Sequence, residues 1–186
     1  MTMSSAISAL PGSILNFISS RDHRLMRRVH RWPAPRWVRV VMVCASRAGD
    51  GWLWLAIGLA LMTQNRPGPV AVCAASLAAG VGLGIYFVVK HATGRKRPCL
   101  IEPHCWARML PPDQYSFPSG HTITAFSVAT AVGLFYPPLM LVLLCVAALI
   151  ATSRIVLGMH FLSDALAGAL IGASLGYSAF LLASRF

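Results

Sequence analysis

Negative charge is scarce in this chain. Of its 186 residues only five are Asp or Glu, against 16 Lys or Arg, giving a formal net charge of +11. Charges of both signs make up 11% of the residues, where a soluble domain carries about 25%. With 56% hydrophobic residues and a mean hydropathy of +0.66, that shortage excludes an ordinary soluble domain and a disordered chain alike. It also leaves too few carboxylates for a two-metal centre. The five cysteines, Cys44, Cys73, Cys99, Cys105 and Cys145, include no CxxC pair and no zinc spacing. Three lie in or beside apolar stretches and read as small buried hydrophobes. Cys99 and Cys105 flank a polar loop and could pair if it faces an oxidising compartment, although spacing alone leaves the geometry open. The first twenty residues show no positive segment ahead of an apolar core, so no secretory signal is read there.

Long uncharged runs fill the rest of the chain. Residues 70–89 carry no charge, and neither do 122–153, which Pro137-Pro138 divides, or 165–184. A shorter run covers Trp52 to Met62, with Asp50 placed to cap it. These runs predict an all-α, polytopic membrane helix bundle with five transmembrane helices, or six if residues 38–44 belong to another. Ahead of them Ile14, Leu15, Phe17 and Ile18 precede a basic arm of eight arginines from Arg21 to Arg47, with Trp32 and Trp37 interleaved. That pattern suits an amphipathic segment lying on anionic phospholipid headgroups, ended by a turn at Pro33 and Pro35, rather than a nucleic-acid tail. The organisation expected is a basic arm over 1–49 and a transmembrane domain over 50–186. Gly168, Gly172 and Gly176 recur every four residues and stack on one helix face, a packing stripe that leaves the oligomeric state open.

Polar residues at the ends of apolar spans are costly unless they act. Three clusters stand out: Lys90 to Pro98, Pro118 to His121, and Ser153 to Asp164. If the helices alternate in direction, all three meet at one membrane face and offer a site for a highly charged anion. Arg97 and Arg154 can each grip non-bridging phosphoryl oxygens through the guanidinium fork, and Lys90 adds a point charge. Ser119 offers a hydroxyl, and the N–H groups of Gly120 and His121 open a helix whose dipole favours an anion. His160 and Asp164, four apart, can share a helical face, so the carboxylate can fix the imidazole's tautomer for attack on phosphorus. His121 can protonate a leaving oxygen and then help activate water. The arginines supply the positive charge, so the chemistry requires no metal and no cofactor.

Read separately, each cluster has an ordinary explanation: a basic flank, a helix cap, a structural His–Asp pair. Their joint order and spacing do not. Lys90-x6-Arg97-Pro98, then Pro118-Ser119-Gly120-His121, then Ser153-Arg154-x5-His160-x3-Asp164 resembles the signature of the type-2 phosphatidic acid phosphatase superfamily at every position. The resemblance implies that His160 is the nucleophile, oriented by Asp164, and that His121 is the general acid. It implies that Lys90, Arg97, Ser119, Gly120 and Arg154 hold the phosphate, without a metal. The expected activity is hydrolysis of a lipid mono- or diphosphate, with undecaprenyl diphosphate, phosphatidylglycerol phosphate and phosphatidic acid as candidates. The rivals are a non-hydrolytic phospholipid-binding or transport protein and a vanadate-dependent haloperoxidase, the latter disfavoured because known ones are larger and soluble. Five spans with the basic arm inside would put the site in the cytoplasm. The resemblance implies the outer face, where the family's membrane members usually place the site, and that is the expectation here, in a bacterial inner membrane. His23 and His30 read as part of the solvated arm, Trp52, Trp54 and Tyr86 as core or interface residues, and His91, Glu102, His104 and Asp113 receive no role.

Overall fold

The computed structural model describes residues 3–101 and 113–185. They form eight helices: α1 (Met3–Arg31), α2 (Arg36–Ala48), α3 (Trp52–Met62), α4 (Gly68–Thr93), α5 (Pro98–Ile101), α6 (Gly120–Phe135), α7 (Pro137–Val156) and α8 (Leu162–Ala183). The breaks fall where backbone chemistry demands. Pro33 and Pro35 separate α1 from α2, and Pro137 and Pro138 occupy the first turn of α7, where a missing N–H costs nothing. Between α2 and α3 the chain turns at Gly51, whose φ of +114° is left-handed. Gly51, not Asp50, therefore stands at the N-cap of α3.

The structure corrects the expected five or six spans. Three helices, α4, α7 and α8, are long and apolar enough to cross a bilayer, and a fourth span arises only if α2 and α3, bent by 55° at their junction, count as one. The sequence count took each uncharged run as a span. At 1.5 Å per residue the 11-residue α3 reaches about 16 Å and the 16-residue α6 about 24 Å, against a hydrocarbon core of about 30 Å.

Helix α6 is the centre of the bundle, packed against α4, α7 and α8. It is apolar all round because it is surrounded: Ile123, Ala125, Val128, Ala129, Ala131 and Val132 are all buried. The outer helices turn large side chains outward, with Val88, Leu141 and Leu170 each more than 70% exposed, as a lipid-facing surface requires. Cys44, Cys73 and Cys145 also lie exposed rather than buried. Cys99 is a free thiol whose pKa burial pushes up; Cys105 lies outside the described residues.

The glycine stripe of α8 sets the register of the bundle. A Cβ at Gly168, Gly172 or Gly176 would meet the carbonyl oxygens of Ser119, Ile123 and Ser127 at 2.8, 2.4 and 2.6 Å. Backbone thus lies on backbone for two turns, and the first turns of α6 and α8 are held side by side. The basic arm is not merely a surface feature. Met26 and Asp22 of α1 are buried, and the His23 ring meets Phe161 edge-on at 4.9 Å between centroids.

Candidate active site

One end of the bundle collects the last turn of α4, the start of α6, the end of α7 and the start of α8. Gly94 (φ +57°) ends α4 and turns the chain into residues 95–97. These pair with residues 114–116 through a bridge between Lys96 and Tyr115, with Arg97 N–H donating to the Gln114 carbonyl (3.2 Å) and Ser116 N–H to the Arg95 carbonyl (2.7 Å). The pairing places Arg97 and the Ser116 carbonyl beneath the α7–α8 loop, which turns at Gly158 (φ +70°) and presents His160. A cavity of about 360 Å³ opens among these elements, lined by Arg97, Gly120, His121, Arg154 and His160 together with Gly49, Asp50, Gly51, Leu83, Tyr86 and Thr124.

The hydrogen bonds of His160 determine its tautomer. Its Nε2 lies 3.1 Å from Arg97 Nη1, which can only donate, so Nε2 is the acceptor. The proton is then on Nδ1 and is donated to the Ser116 carbonyl at 2.6 Å. The ring is 1% exposed, and burial, reinforced by the charges of Arg97 and Arg154, pushes its pKa down to about 4 against the opposing pull of Asp164. His160 is therefore a neutral imidazole at pH 7 whose Nε2 lone pair, at the cavity wall, accepts from Arg97.

Asp164, fully buried, does not bond the ring directly: its Oδ2 is 3.8 Å from Nδ1. That oxygen instead accepts the Phe161 N–H at 2.8 Å, reaching back from the first turn of α8 to its N-cap. Its other oxygen accepts from Arg95 Nη1 at 2.7 Å. Arg95 also binds Ser163 and, through Nη2, Asp22 at 2.7 Å, and its guanidinium stacks over the Phe161 ring. Arg95 and Asp22 were missed in the sequence. Arg95 hides among the seven residues from Lys90 to Lys96, and Asp22 sits in what reads as a solvated arm.

The phosphate-binding candidates divide into two groups. Arg97, Arg154 and Gly120 line the cavity. Arg97, 2% exposed, is fixed by the carbonyls of Met159 (3.0 Å) and Asp113 (2.9 Å) and by the Asp113 carboxylate. Arg154 has a 2.6 Å bond to the Ser46 hydroxyl, while its buried Nε has no hydrogen-bond partner among the described residues, a donor suited to an anion in the cavity. Lys90 and Ser119 do not line it; Lys90 lines a separate cavity with His91, Asp113 and Tyr115. Lys90 Nζ is bound by Tyr86 and Asp113, and the buried Ser119 hydroxyl accepts from Thr122 at 2.9 Å. Burial raises the Asp113 carboxyl, but Lys90 and Arg97 outweigh it and hold the group below the ordinary carboxylate range. Tyr86 and Asp113 are thus site residues that residue type alone did not reveal; Glu102 and His104 lie outside the described residues. Among the described residues no three His, Cys, Asp or Glu side chains converge as a metal site requires.

His121 stands at the first turn of α6. Its Nε2 is 2.7 Å from Asp50 Oδ1, so Nδ1 is the ring nitrogen left for a ligand. The adjoining N–H groups of this turn have no acceptor within the helix.

Comparison with known proteins matches residues 70–186 to the family model described as the PAP2 superfamily. The decaprenylphosphoryl-5-phosphoribose phosphatase of Mycobacterium tuberculosis is 36% identical over 132 residues, 68% of each chain. An undecaprenyl-diphosphatase of Sulfolobus acidocaldarius is 26% identical over 146 residues, 74% of this chain and 66% of that one. In fold, the chain is similar to the crystal structure of a transmembrane PAP2-type phosphatidylglycerolphosphate phosphatase from Bacillus subtilis. The TM-score is 0.74 at 22% identity, covering 92% of this chain and 88% of the other.

Proposed function

The chain belongs to the PAP2 superfamily, an integral-membrane lipid-phosphate hydrolase in general activity, and from the geometry of its cavity we propose that it works through a phosphohistidine at His160. The observation that carries this reading is the His160 tautomer: Nδ1–H is held by a carbonyl, and Nε2, unprotonated and paired with Arg97 Nη1, lies at the cavity. As the phosphate enters, Arg97 Nη1 exchanges its bond to Nε2 for one to a phosphoryl oxygen, which frees the lone pair; Nε2 then attacks phosphorus while Arg97, Arg154 and the N–H groups at Gly120 and His121 take the charge growing on the equatorial oxygens. Lys90 supports Arg97 through their shared partner Asp113, and Ser119 starts the helix that carries Gly120 and His121. His121 gives its Nδ1 proton to the leaving oxygen. It then takes a proton from water, whose oxygen attacks phosphorus as the P–N bond breaks and the electron pair returns to His160. Asp164 acts by charge across 3.8 Å and by fixing the turn that carries the ring.

The substrate is a lipid whose headgroup enters this cavity. An apolar groove of about 290 Å³ between α3, α4 and α6 shares Gly51 and Thr124 with it and is lined by Trp54, Gly58, Val72, Ala79 and Val128, giving the first carbons of a tail a place beside the phosphate. The names of both curated relatives carry a polyprenyl lipid, which ranks polyprenyl-linked phosphates above phosphatidylglycerol phosphate and phosphatidic acid here. The site faces outward from a bacterial inner membrane, with the basic arm against anionic headgroups.

The test is phosphate release by detergent-purified protein in excess chelator, with undecaprenyl diphosphate, decaprenylphosphoryl-5-phosphoribose, phosphatidylglycerol phosphate and phosphatidic acid as substrates. Release is expected to survive chelation and to vanish in His160→Ala. Retained activity in that variant overturns the phosphohistidine. Equal turnover of a water-soluble phosphate ester overturns the lipid preference.

A further inference from the structure

The residues matched by the family model begin at 70, yet the cavity has a wall made from earlier residues. At the elbow between α2 and α3, Gly49, Asp50 and Gly51 all line the cavity. The elbow is built for close approach: a Cβ at Gly49 would lie 2.8 Å from Ile150 Cγ2 and 3.0 Å from His121 Cδ2, and Gly51 adopts φ +114°. One turn earlier, Ser46 is fully buried with its hydroxyl on Arg154. Asp50 Oδ1 meets His121 Nε2 at 2.7 Å, and Arg47 Nη1 lies 3.7 Å from the other carboxylate oxygen.

We propose that Asp50 is the positioning residue for His121: its carboxylate holds the ring by Nε2–H, so that Nδ1 carries the transferable proton towards the leaving oxygen. The inference rests on the hydrolase reading given above. The proton balance is complete within it. The step uses His121 as the imidazolium, the form that burial disfavours and that Asp50 and a bound phosphate anion favour; Nδ1–H leaves with the departing oxygen as the His160–phosphorus bond forms; the Nε2 proton stays on the ring, donated to Asp50, throughout; and water restores Nδ1. The groups around the ring explain why a carboxylate is needed. Arg154 from α7, Arg97 from the loop before α5 and neutral His160 from the α7–α8 loop line the same cavity, with Tyr86 from α4. Burial, and then the charges of Arg154 and Arg97, hold the His121 pKa below the ordinary histidine value, and bound phosphate comes and goes. Asp50 is the resident anion at hydrogen-bond distance that favours the imidazolium, with Arg47 beside it limiting its charge.

The experiment compares full-length wild type with Asp50→Asn, which keeps the hydrogen-bonding shape and removes the charge. With a lipid alkyl phosphate, whose leaving oxygen needs protonation, Asp50→Asn is expected to lower kcat by about tenfold or more and to move the alkaline limb of the pH profile to lower pH. With a lipid nitrophenyl phosphate, whose leaving group needs little protonation, the loss is expected to stay within about threefold. Equal losses on both substrates would mean a structural role, and no loss on the alkyl phosphate would mean no role; either overturns the proposal. A readout independent of turnover is the titration of 15N-labelled His121 by NMR. A lower midpoint in Asp50→Asn supports the proposal, and an unchanged one overturns it. Because that measurement stands even if wild type releases no phosphate, failure of the hydrolase reading and failure of the Asp50 assignment are distinguishable.

Discussion

His160, the proposed nucleophile, is buried at a cost in acid stability. Its ring is buried as the neutral form, with a pKa pushed down to about 4 from the ordinary histidine value of 6.5. Between those values the unfolded chain takes up a proton that the folded chain refuses. His160 therefore withdraws stability as pH falls below about 6.5, and the loss levels off below about 4. The melting temperature of the detergent-solubilised protein is expected to fall between pH 7 and pH 4.5, and to fall less in His160→Asn. An identical slope in that variant would show that the ring is already charged or hydrated in the folded protein. Motif spacing made legible the residues that meet at the cavity, Arg97, Gly120, His121, Arg154 and His160, while Lys90 and Ser119, singled out with them, do not line it. The hydrogen bonds of the site were not legible. The sequence assigned the imidazole N–H to Asp164, and the structure hands it to the Ser116 carbonyl, an acceptor that every residue carries and no motif can mark.

Among the elements, α6 and α8 carry the most consequence per residue, because their glycine seam aligns Ser119 with the first turn of α8. The Ser119 N–H donates to the Asp164 carbonyl at 3.2 Å directly above the first glycine contact. Gly172→Ala would set a Cβ 2.4 Å from the Ile123 oxygen and 3.0 Å from Phe126 Cβ, forcing the helices apart. The expected cost is about 1–3 kcal/mol, read as a lower melting temperature together with reduced kcat. Gly84→Ala, with nothing within 4 Å of its Cβ, is the matched control and is expected to leave the melting temperature unchanged or slightly raised. A Gly172→Ala protein as stable as the control would show that the seam does not set the spacing of α6 and α8. The period-four spacing announced this stripe, but span length was misjudged at the same scale. An uncharged run reports apolar surroundings, and protein supplies them for α6 as lipid does for α7.

For the whole molecule, the scarcity of negative charge has a spatial meaning. Each of Asp22, Asp50, Asp113 and Asp164 sits at the site and partners one of its cations or histidines: Arg95, His121, Lys90 with Arg97, and Arg95 again. The proposed outward orientation of this end is checked with a single cysteine at exposed Ala92 in a cysteine-free background. It is expected to react with a membrane-impermeant maleimide on intact cells. Reaction only after permeabilisation would place the site in the cytoplasm. By itself the sequence determined the solvent, the helical class and the superfamily, because hydropathy, proline placement and motif spacing are local properties that survive without a fold. Only the tertiary structure decided how many helices are long enough to span, which tautomer His160 holds, and that the arm before residue 50 reaches the site with Asp22 and Ser46. Those depend on which distant residues meet, and the contacts between Asp22 and Ser163 or Ser46 and Arg154 leave no trace in the order of the chain.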